Sequence, residues 1–217
     1  EGDNASTQVY RVALEADGNI TGPIAVTSLG NDVSGFKLSP DANSIAVWRE
    51  MARTCEKFGC EDDAKQHLPG PGNGRLYEGE GGFIRHWDTW QTPGTYSRVR
   101  VYGVEDGAAV GDGVAIDGKL AEGALIGDTP TKPFGGSKEI AWAADSQSVF
   151  FAAKMADSNE AMSTDKDIYQ AHIANGTLEN LTIGNPAYDN LPAPSPNGKF
   201  LAYIAMARPG YESDRTV

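Results

Sequence analysis

The chain repeats one pattern of polar and apolar positions three times. In each copy a short polar turn is followed by an apolar run, and in the first two copies alternating apolar residues precede the turn. Aligned without gaps, the copies are residues 39–47, 143–151 and 195–203. Asp or Asn at the third position is typical of turns, and the β-branched and aromatic residues of the runs favour strands. The pattern therefore predicts two strands joined by a tight turn in each copy.

A second repeat accompanies the first. Residues 8–12 and 167–171 match each other, and each segment is followed by a glycine-containing turn and then by Thr27 or Thr182. Thr27 lies 12 residues before the first turn motif and Thr182 lies 13 before the third. The turn motifs at 143 and 195 start 52 residues apart, and the one at 39 lies twice that distance from 143. Four-stranded units of roughly this length are the blades of β-propellers.

The predicted fold class is all-β, a partial β-propeller of four-stranded antiparallel blades that is incomplete at both ends. Residues 1–30 are predicted to end one blade, and residues 185–217 to begin another. Between them we expect a blade over 31–127, with a long insert around 51–82, and a blade over 128–184. An uncovered blade would expose apolar surface. The pattern therefore predicts that another chain, or a remainder of the same polypeptide, covers the outer faces.

Composition narrows the possible partners. A net charge of −12 and a pI near 4.6 disfavour nucleic acid, which needs clustered Lys and Arg. The sequence has no apolar run of about 18 residues, so no membrane span is predicted. The acidic segments 61–63 and 165–167 lack the pattern of a calcium loop and are expected to be solvated. No cofactor and no metal site are predicted.

A disulfide between the two cysteines, Cys55 and Cys60, is predicted, with free thiols and a metal site as the alternatives. They can close a small disulfide loop in an oxidising compartment, or they can be free thiols. A zinc site would need two more ligands, and His67 does not complete such a set.

One stretch resembles a known family. It comprises the string Arg85-His86-Trp87-Asp88-Thr89-Trp90, the turn at Pro93-Gly94 and the strand pattern of 97–104. Together these resemble the propeller of prolyl-oligopeptidase-family serine peptidases, with most similarity to the dipeptidyl-peptidase V and acylaminoacyl-peptidase branches. Residues 205–215 are similar to a second segment of those propellers, and the insert at 51–76 is similar in position to an insert of bacterial members.

The resemblance implies a large two-domain enzyme. In that family the propeller caps an α/β-hydrolase domain, restricts access to short peptides, and leaves the Ser-Asp-His triad to the hydrolase. The serine of that triad lies on a Gly-x-Ser-x-Gly turn. Here Gly135-Gly136-Ser137-Lys138-Glu139 departs from that motif at the last position. No catalytic residue is therefore assigned in these 217 residues, and the α/β-hydrolase domain is expected outside them.

Two groups of residues are candidates for substrate binding. His86, Trp87, Asp88 and Trp90 offer rigid aromatic surface and a carboxylate along a substrate route. The alternative is that the tryptophans fill space between blades while His86 and Asp88 hydrogen-bond turns.

The second group is Glu212, Asp214 and Arg215, which follow the apolar pattern near the end of the sequence. An exopeptidase that requires a free amino terminus needs a carboxylate to pair with the ammonium group, and Glu212 is the candidate. An intramolecular Asp–Arg pair is the alternative.

Two functions remain open from sequence. The first is the substrate-gating part of a periplasmic or secreted serine exopeptidase that cleaves short peptides, of the dipeptidyl or acylaminoacyl type. The second is a non-catalytic periplasmic β-propeller that serves as a binding scaffold, since a fold does not determine a function.

Overall fold

The structure, a computed structural model, describes residues 6–60, 84–86, 89–91, 94–117, 120, 124–211 and 215–217. Within these residues the regular elements are strands, apart from one 3₁₀ turn at Ser137–Glu139. The predicted all-β class is therefore confirmed.

Two four-stranded antiparallel meanders form the centre of the chain. The first sheet has the order β3-β4-β7-β8, and the second has the order β12-β11-β10-β9. The bounds of the first sheet are β3 Gly35–Leu38, β4 Ser44–Ala52, β7 Thr95–Glu105 and β8 Ala108–Ala115. The bounds of the second are β9 Ile140–Trp142, β10 Ser148–Ala153, β11 Asp167–His172 and β12 Leu178–Asn180.

Three two-stranded sheets complete the described part. The N-terminal pair is β1 Tyr10–Arg11 with β2 Ile24–Ala25, and the C-terminal pair is β13 Asp189–Pro194 with β14 Leu201–Ala205. A short hairpin, β5 Arg85–His86 with β6 Thr89–Trp90, lies in the connection between β4 and β7. The connection places the insert inside one sheet, which accounts for the doubled spacing between the first two turn motifs.

The sheets pack face to face in chain order. One apolar core lies between the two four-stranded sheets and includes Trp48, Val99, Ile140 and Phe151. The Trp142 indole N–H also donates to the carbonyl oxygen of Lys37 at 3.1 Å across this interface. A second core joins the other face of the first sheet to the N-terminal pair. Stacked four-stranded meanders with this arrangement form a partial β-propeller.

The three repeated turns have the same hydrogen bonding. In each, the N–H of the first residue donates to the carbonyl oxygen of the sixth, at 2.8, 2.9 and 2.8 Å in chain order. The fourth residue adopts the left-handed conformation in every copy, with φ of 60° at Ala42, 61° at Ser146 and 67° at Gly198. The predicted strand–turn–strand units at these positions are confirmed.

Thr27 and Thr182 also occupy equivalent places. The Thr27 hydroxyl accepts a hydrogen bond from the Val9 N–H at 2.9 Å, and the Thr182 hydroxyl accepts one from the Ile168 N–H at 2.9 Å. Both threonines are buried. Each one attaches the chain that follows the outermost strand to the start of the neighbouring strand.

Candidate functional site

A groove of about 870 Å³ lies between the second four-stranded sheet and the C-terminal pair. Its walls come from the loop that precedes β9, from the connection between β10 and β11, and from the C-terminal pair, and the lining residues include Asp128, Glu139, Glu160, Lys166, Asn190 and Thr216. Antiparallel pairing puts Gly35, at the start of β3, opposite Trp48 of β4, and Ile140, at the start of β9, opposite Phe151 of β10. The segments that lead into β3 and β9 therefore lie at the same end of the sheets. The connection from β4 to β7 carries the insert and also leaves the sheets at this end, which we call the insertion end.

An ion pair between Glu139 and Lys166 forms the floor of the groove. The Lys166 ammonium donates to Glu139 Oε1, and the two side chains are 2% and 6% exposed, respectively, for the lysine and the glutamate. Thr131 completes the network, because its N–H donates to Glu139 Oε2 at 2.8 Å and its hydroxyl accepts from Lys166 Nζ at 2.8 Å. Such a buried pair avoids a large desolvation cost only when these additional hydrogen bonds are present.

A close approach of the backbone makes this network possible. The Gly135 N–H donates to the carbonyl oxygen of Thr131 at 2.7 Å. A Cβ atom at position 135 would collide with that carbonyl oxygen and with the Glu139 carboxyl. Glycine at 135 therefore allows the loop to fold over the carboxylate.

Asn190 connects the network to the C-terminal pair. Its side-chain amide donates to Glu139 Oε1 at 3.2 Å and also to the Tyr188 hydroxyl. The Lys166 ammonium lies 5.1 Å from the centre of the Tyr188 ring, within cation–π range. Four side chains from three segments are thus held in one arrangement.

Burial and charge act against each other at Lys166. Burial lowers the pKa of the Lys166 ammonium, while the adjacent Glu139 carboxylate opposes that shift. The pair is therefore best described as one buried unit, whose separation would leave an uncompensated charge in the protein.

A second charged cluster lines the other side of the groove. The Asp128 carboxylate accepts from the Ser97 N–H at 2.5 Å, and Lys132 Nζ lies 3.4 Å from Asp128 Oδ1. Burial raises the pKa of the nearby Glu160 carboxyl to about 7, and the Asp128 charge adds to the shift. Glu160 therefore changes its protonation near neutral pH.

The predicted disulfide between Cys55 and Cys60 is present. Arg98 holds the start of this loop, because its guanidinium donates to the carbonyl oxygens of Arg53 and Cys55 at 3.1 and 3.0 Å. The same guanidinium is paired with the buried Asp117 carboxylate at 2.6 Å. The disulfide loop is thereby fixed at the insertion end, and it indicates an oxidising environment.

The first group of candidate binding residues is described only in part. Trp87 and Asp88 lie outside the described residues, as does the side chain of His86, whose backbone belongs to β5. Trp90 is 54% exposed, and the Arg85 guanidinium lies 5.4 Å from its ring centre. The hairpin therefore presents an aromatic surface at the insertion end.

Of the second group, Glu212 and Asp214 lie outside the described residues. Arg215 is exposed and precedes Thr216, which lines the groove and pairs with Met206. The structure therefore brings Arg215 close to the groove. The described parts of the two candidate groups belong to different elements, the β5–β6 hairpin and the segment that pairs with Met206.

The residues that form the buried hydrogen-bond network of the groove are not among the substrate-binding residues predicted from the sequence. The expectation that segment 165–167 is solvated is wrong for Lys166 and Asp167, which are 2% and 8% exposed. Lys166 pairs with Glu139, and Asp167 accepts hydrogen bonds from Asn180 and Thr182. A sequence signal for their burial is available, namely a lysine between two aspartates at the start of an apolar strand. Burying such a strand also buries at least one of these charges.

Among the described residues, no group of three or more His, Cys, Asp or Glu side chains is placed to hold a metal ion. None of the helices described is long and apolar enough to cross a membrane.

The chain is similar in sequence to proteins named dipeptidyl-peptidase 5. The chain is 34% identical over 211 residues to dipeptidyl-peptidase 5 of Porphyromonas endodontalis, which covers 95% of the chain and 28% of that protein. It is 29% identical over 184 residues to dipeptidyl-peptidase 5 of Porphyromonas gingivalis, covering 84% of the chain and 25% of that protein. Dipeptidyl-peptidase 5 of Trichophyton schoenleinii is 31% identical over 205 residues, with coverage of 88% and 27%.

Other comparisons are less informative. No family model matches the chain. The crystal structure of TolB from Acinetobacter baumannii aligns with 95% of this chain and 44% of that one, at 12% identity and a TM-score of 0.31. That score is too low to support the fold, which rests on the sheets described above.

The chain spans about a quarter of the length of the curated relatives it matches. Over most of its own length, the chain is thus a homologue of one segment of the proteins named dipeptidyl-peptidase 5.

Proposed function

We propose that this chain is the substrate-gating propeller part of a serine exopeptidase that releases dipeptides from short peptides. The observation that carries the proposal is the 34% identity to a dipeptidyl-peptidase 5 over 95% of the chain. The stacked four-stranded sheets support it, because a propeller can hold a polar rim over a second domain while its blades stay rigid.

The chemistry is proposed to lie on an α/β-hydrolase domain. That domain belongs to a remainder of the same polypeptide or to a companion chain. Acyl transfer to a serine with a histidine as base would occur there. The present residues would select short peptides and orient them, with His86, Trp87, Asp88, Trp90, Glu212, Asp214 and Arg215 as the proposed contacts.

The proposed location is the periplasm or the extracellular medium. The Cys55–Cys60 disulfide supports it, since disulfides persist in oxidising compartments and are rare in the cytosol.

The test is a peptidase assay on the product of the gene that encodes this chain. Chromogenic dipeptidyl substrates with a free amino terminus are compared with N-acetylated dipeptidyl substrates and with acylaminoacyl substrates. The proposal expects cleavage of the first class, inhibition by a serine-directed reagent and no cleavage by the 217-residue chain.

Two outcomes would overturn the proposal. If the gene product hydrolyses none of these substrates, the chain is better explained as a binding scaffold. If the acylaminoacyl substrates are preferred, the reaction belongs to a different exopeptidase class.

A further inference from the structure

A buried carboxyl without a hydrogen-bond donor lies in the connection between β10 and β11. Glu160 is 7% exposed, and no group of the described residues donates to its carboxylate oxygens. The Oε1 atom packs against the backbone of Gly127, where an added Cβ atom would lie 2.8 Å away. Because Glu160 lines the groove, its carboxyl can exchange a proton with the solvent. Such a carboxyl is tolerated as a neutral acid, but it costs free energy as an anion without a donor.

The charged and titratable groups around Glu160 do not supply that donor. They come from four segments of the fold and are Glu50 and Arg53 at the end of β4, Tyr96 on β7, Asp128 and Lys132 before β9, and Lys154 and Asp157 after β10. The Lys154 ammonium donates to the Ser163 carbonyl oxygen at 2.7 Å. The Arg53 guanidinium donates to the Ile126 carbonyl oxygen and lies 4.0 Å from the centre of the Tyr96 ring. These two cations are therefore engaged elsewhere, while the Asp128 charge opposes ionisation of Glu160.

The connection between β10 and β11 is attached to its surroundings at both of its ends. Near β10 its backbone pairs with residues 125–127, with N–H···O distances of 2.8 Å for the N–H groups of Ala156 and Gly127. Near β11 the Thr164 hydroxyl accepts a hydrogen bond from the Gly210 N–H at 2.8 Å. A movement of this connection would therefore also release the segment at Gly210, which follows the C-terminal pair.

Ionisation of Glu160 works against this attachment. Burial raises the pKa of the Glu160 carboxyl to about 7, and the Asp128 charge adds to the shift. If the connection detaches, water reaches the carboxyl and its pKa returns towards 4.5. The attached state is therefore most favoured below pH 4.5. Its advantage is lost as the pH rises through 7, and it stays constant above that pH.

We propose that Glu160 is a pH-sensitive latch, which holds the connection between β10 and β11 closed as a neutral acid and allows it to open as an anion. Opening means that the contacts at Gly127 and Gly210 are lost while the sheets stay intact. Because Thr164 carries the contact to Gly210, one wall of the groove loosens together with the connection. This inference goes beyond the proposed function and does not depend on it, since it concerns the shape of the groove and no reaction.

Hydrogen exchange of the product of the gene that encodes this chain tests the latch. Exchange is followed by mass spectrometry between pH 4.5 and 8 and is corrected for the intrinsic pH dependence of amide exchange. For peptides that cover residues 154–164, the corrected protection should fall by up to roughly 300-fold between pH 4.5 and 7 and then level off, at a factor of ten for each unit of pKa difference. These amides should exchange faster than those of β10 and β11, and low denaturant concentrations should not accelerate them, as expected for a local opening.

Three variants separate the latch from other effects of pH. Glu160→Gln stays neutral and should abolish the fall in protection, and Glu160→Met replaces it if the glutamine variant does not fold. Glu179→Gln, at an exposed position of β12, is the matched control and should keep the fall. Thr164→Val removes the contact to Gly210. In that variant the peptide containing Gly210 should exchange rapidly at every pH, while residues 154–164 keep their pH dependence.

Three results would overturn the inference. The first is a protection of residues 154–164 that does not change with pH, and the second is a fall that persists in Glu160→Gln. The third is equal exchange rates in the connection and in β10 and β11, because the proton would then act on global unfolding and not on a latch. The dipeptidyl assay tests the proposed function separately.

Discussion

The Glu160 carboxyl lies against the backbone of Gly127 and close to Asp128, Lys154 and Arg53. Its pKa in the folded protein is about 7, against 4.5 without the fold. Between pH 4.5 and 7, the Glu160 carboxyl is therefore mostly protonated in the folded state and mostly ionised in the unfolded state. Stability contributed by this proton is complete below pH 4.5 and is lost as the pH rises through 7.

Replacing Glu160 by Gln keeps a neutral side chain at every pH. We expect Glu160→Gln to match the unaltered protein at pH 4.5 and to exceed its free energy of unfolding by about 2 kcal/mol at pH 8, a value reduced by partial solvation. Denaturant titrations of the 217-residue chain at both pH values and low protein concentration measure this difference. The exposed Glu179→Gln is the control and should show no such divergence. A constant difference across this pH range would contradict the prediction.

The groove residues illustrate what sequence could not predict. Lys166 and Asn190 lie 27 and 51 residues after Glu139 along the chain, and the three meet only through sheet packing. Their local contexts are a glycine-rich loop, an acidic segment and a short apolar strand, none of which signals a shared site. By contrast, Cys55 and Cys60 are close enough in sequence that their pairing is a local prediction.

Among the elements, the strands and turns were predictable because their signals are local. An Asp or Asn at the third turn position accepts from the N–H two residues later in all three copies, as at Asp41, Asp145 and Asn197. The alternation of apolar residues then fixes which faces are buried. The pairing of β4 with β7 across the insert was harder to predict, because no local sequence signal shows which later strand pairs with β4.

The outermost strands provide an element-level test of the second repeat. The buried Thr182 hydroxyl accepts from the Ile168 N–H and donates to Asp167 Oδ1 at 3.0 Å. Thr182→Val keeps the shape but leaves a buried N–H without an acceptor. We expect a loss of about 1 to 3 kcal/mol in the free energy of unfolding, measured by denaturant titration.

Two further variants make that test specific. Thr27→Val removes the equivalent contact to Val9 and should cost a similar amount. The exposed Thr177→Val removes only a turn hydrogen bond to Asn175 and should cost less than about 0.5 kcal/mol. If Thr177→Val and Thr182→Val were equally harmful, the attachment of the outer strand would not be the cause.

At the scale of the whole molecule, large apolar side chains stay exposed at both ends of the stack, where the neighbouring sheet is only two strands wide or no further sheet is described. Phe36 and Leu38 on β3 are 49% and 50% exposed, although they lie on the face that the N-terminal pair covers over β4. At the other end of the stack, Phe200 and Tyr203 are 73% and 44% exposed. Each open face is apolar, as the faces between blades are.

We expect these faces to be covered in the product of the gene that encodes this chain, since the relatives are about four times as long as the matched segment. Phe36→Ser should then lower the stability of that product by about 1 to 2 kcal/mol, because roughly half of a phenylalanine side chain remains to be buried. In the 217-residue chain the same change should be nearly neutral and should reduce self-association, measured by sedimentation. Leu14→Ser, on the outer loop between β1 and β2, is the control and should be neutral in both contexts, since Leu14 is 79% exposed away from the stacking faces. Equal costs of Phe36→Ser in the two contexts would mean that no further sheet packs on β3, and the propeller interpretation of this end of the molecule would have to be abandoned.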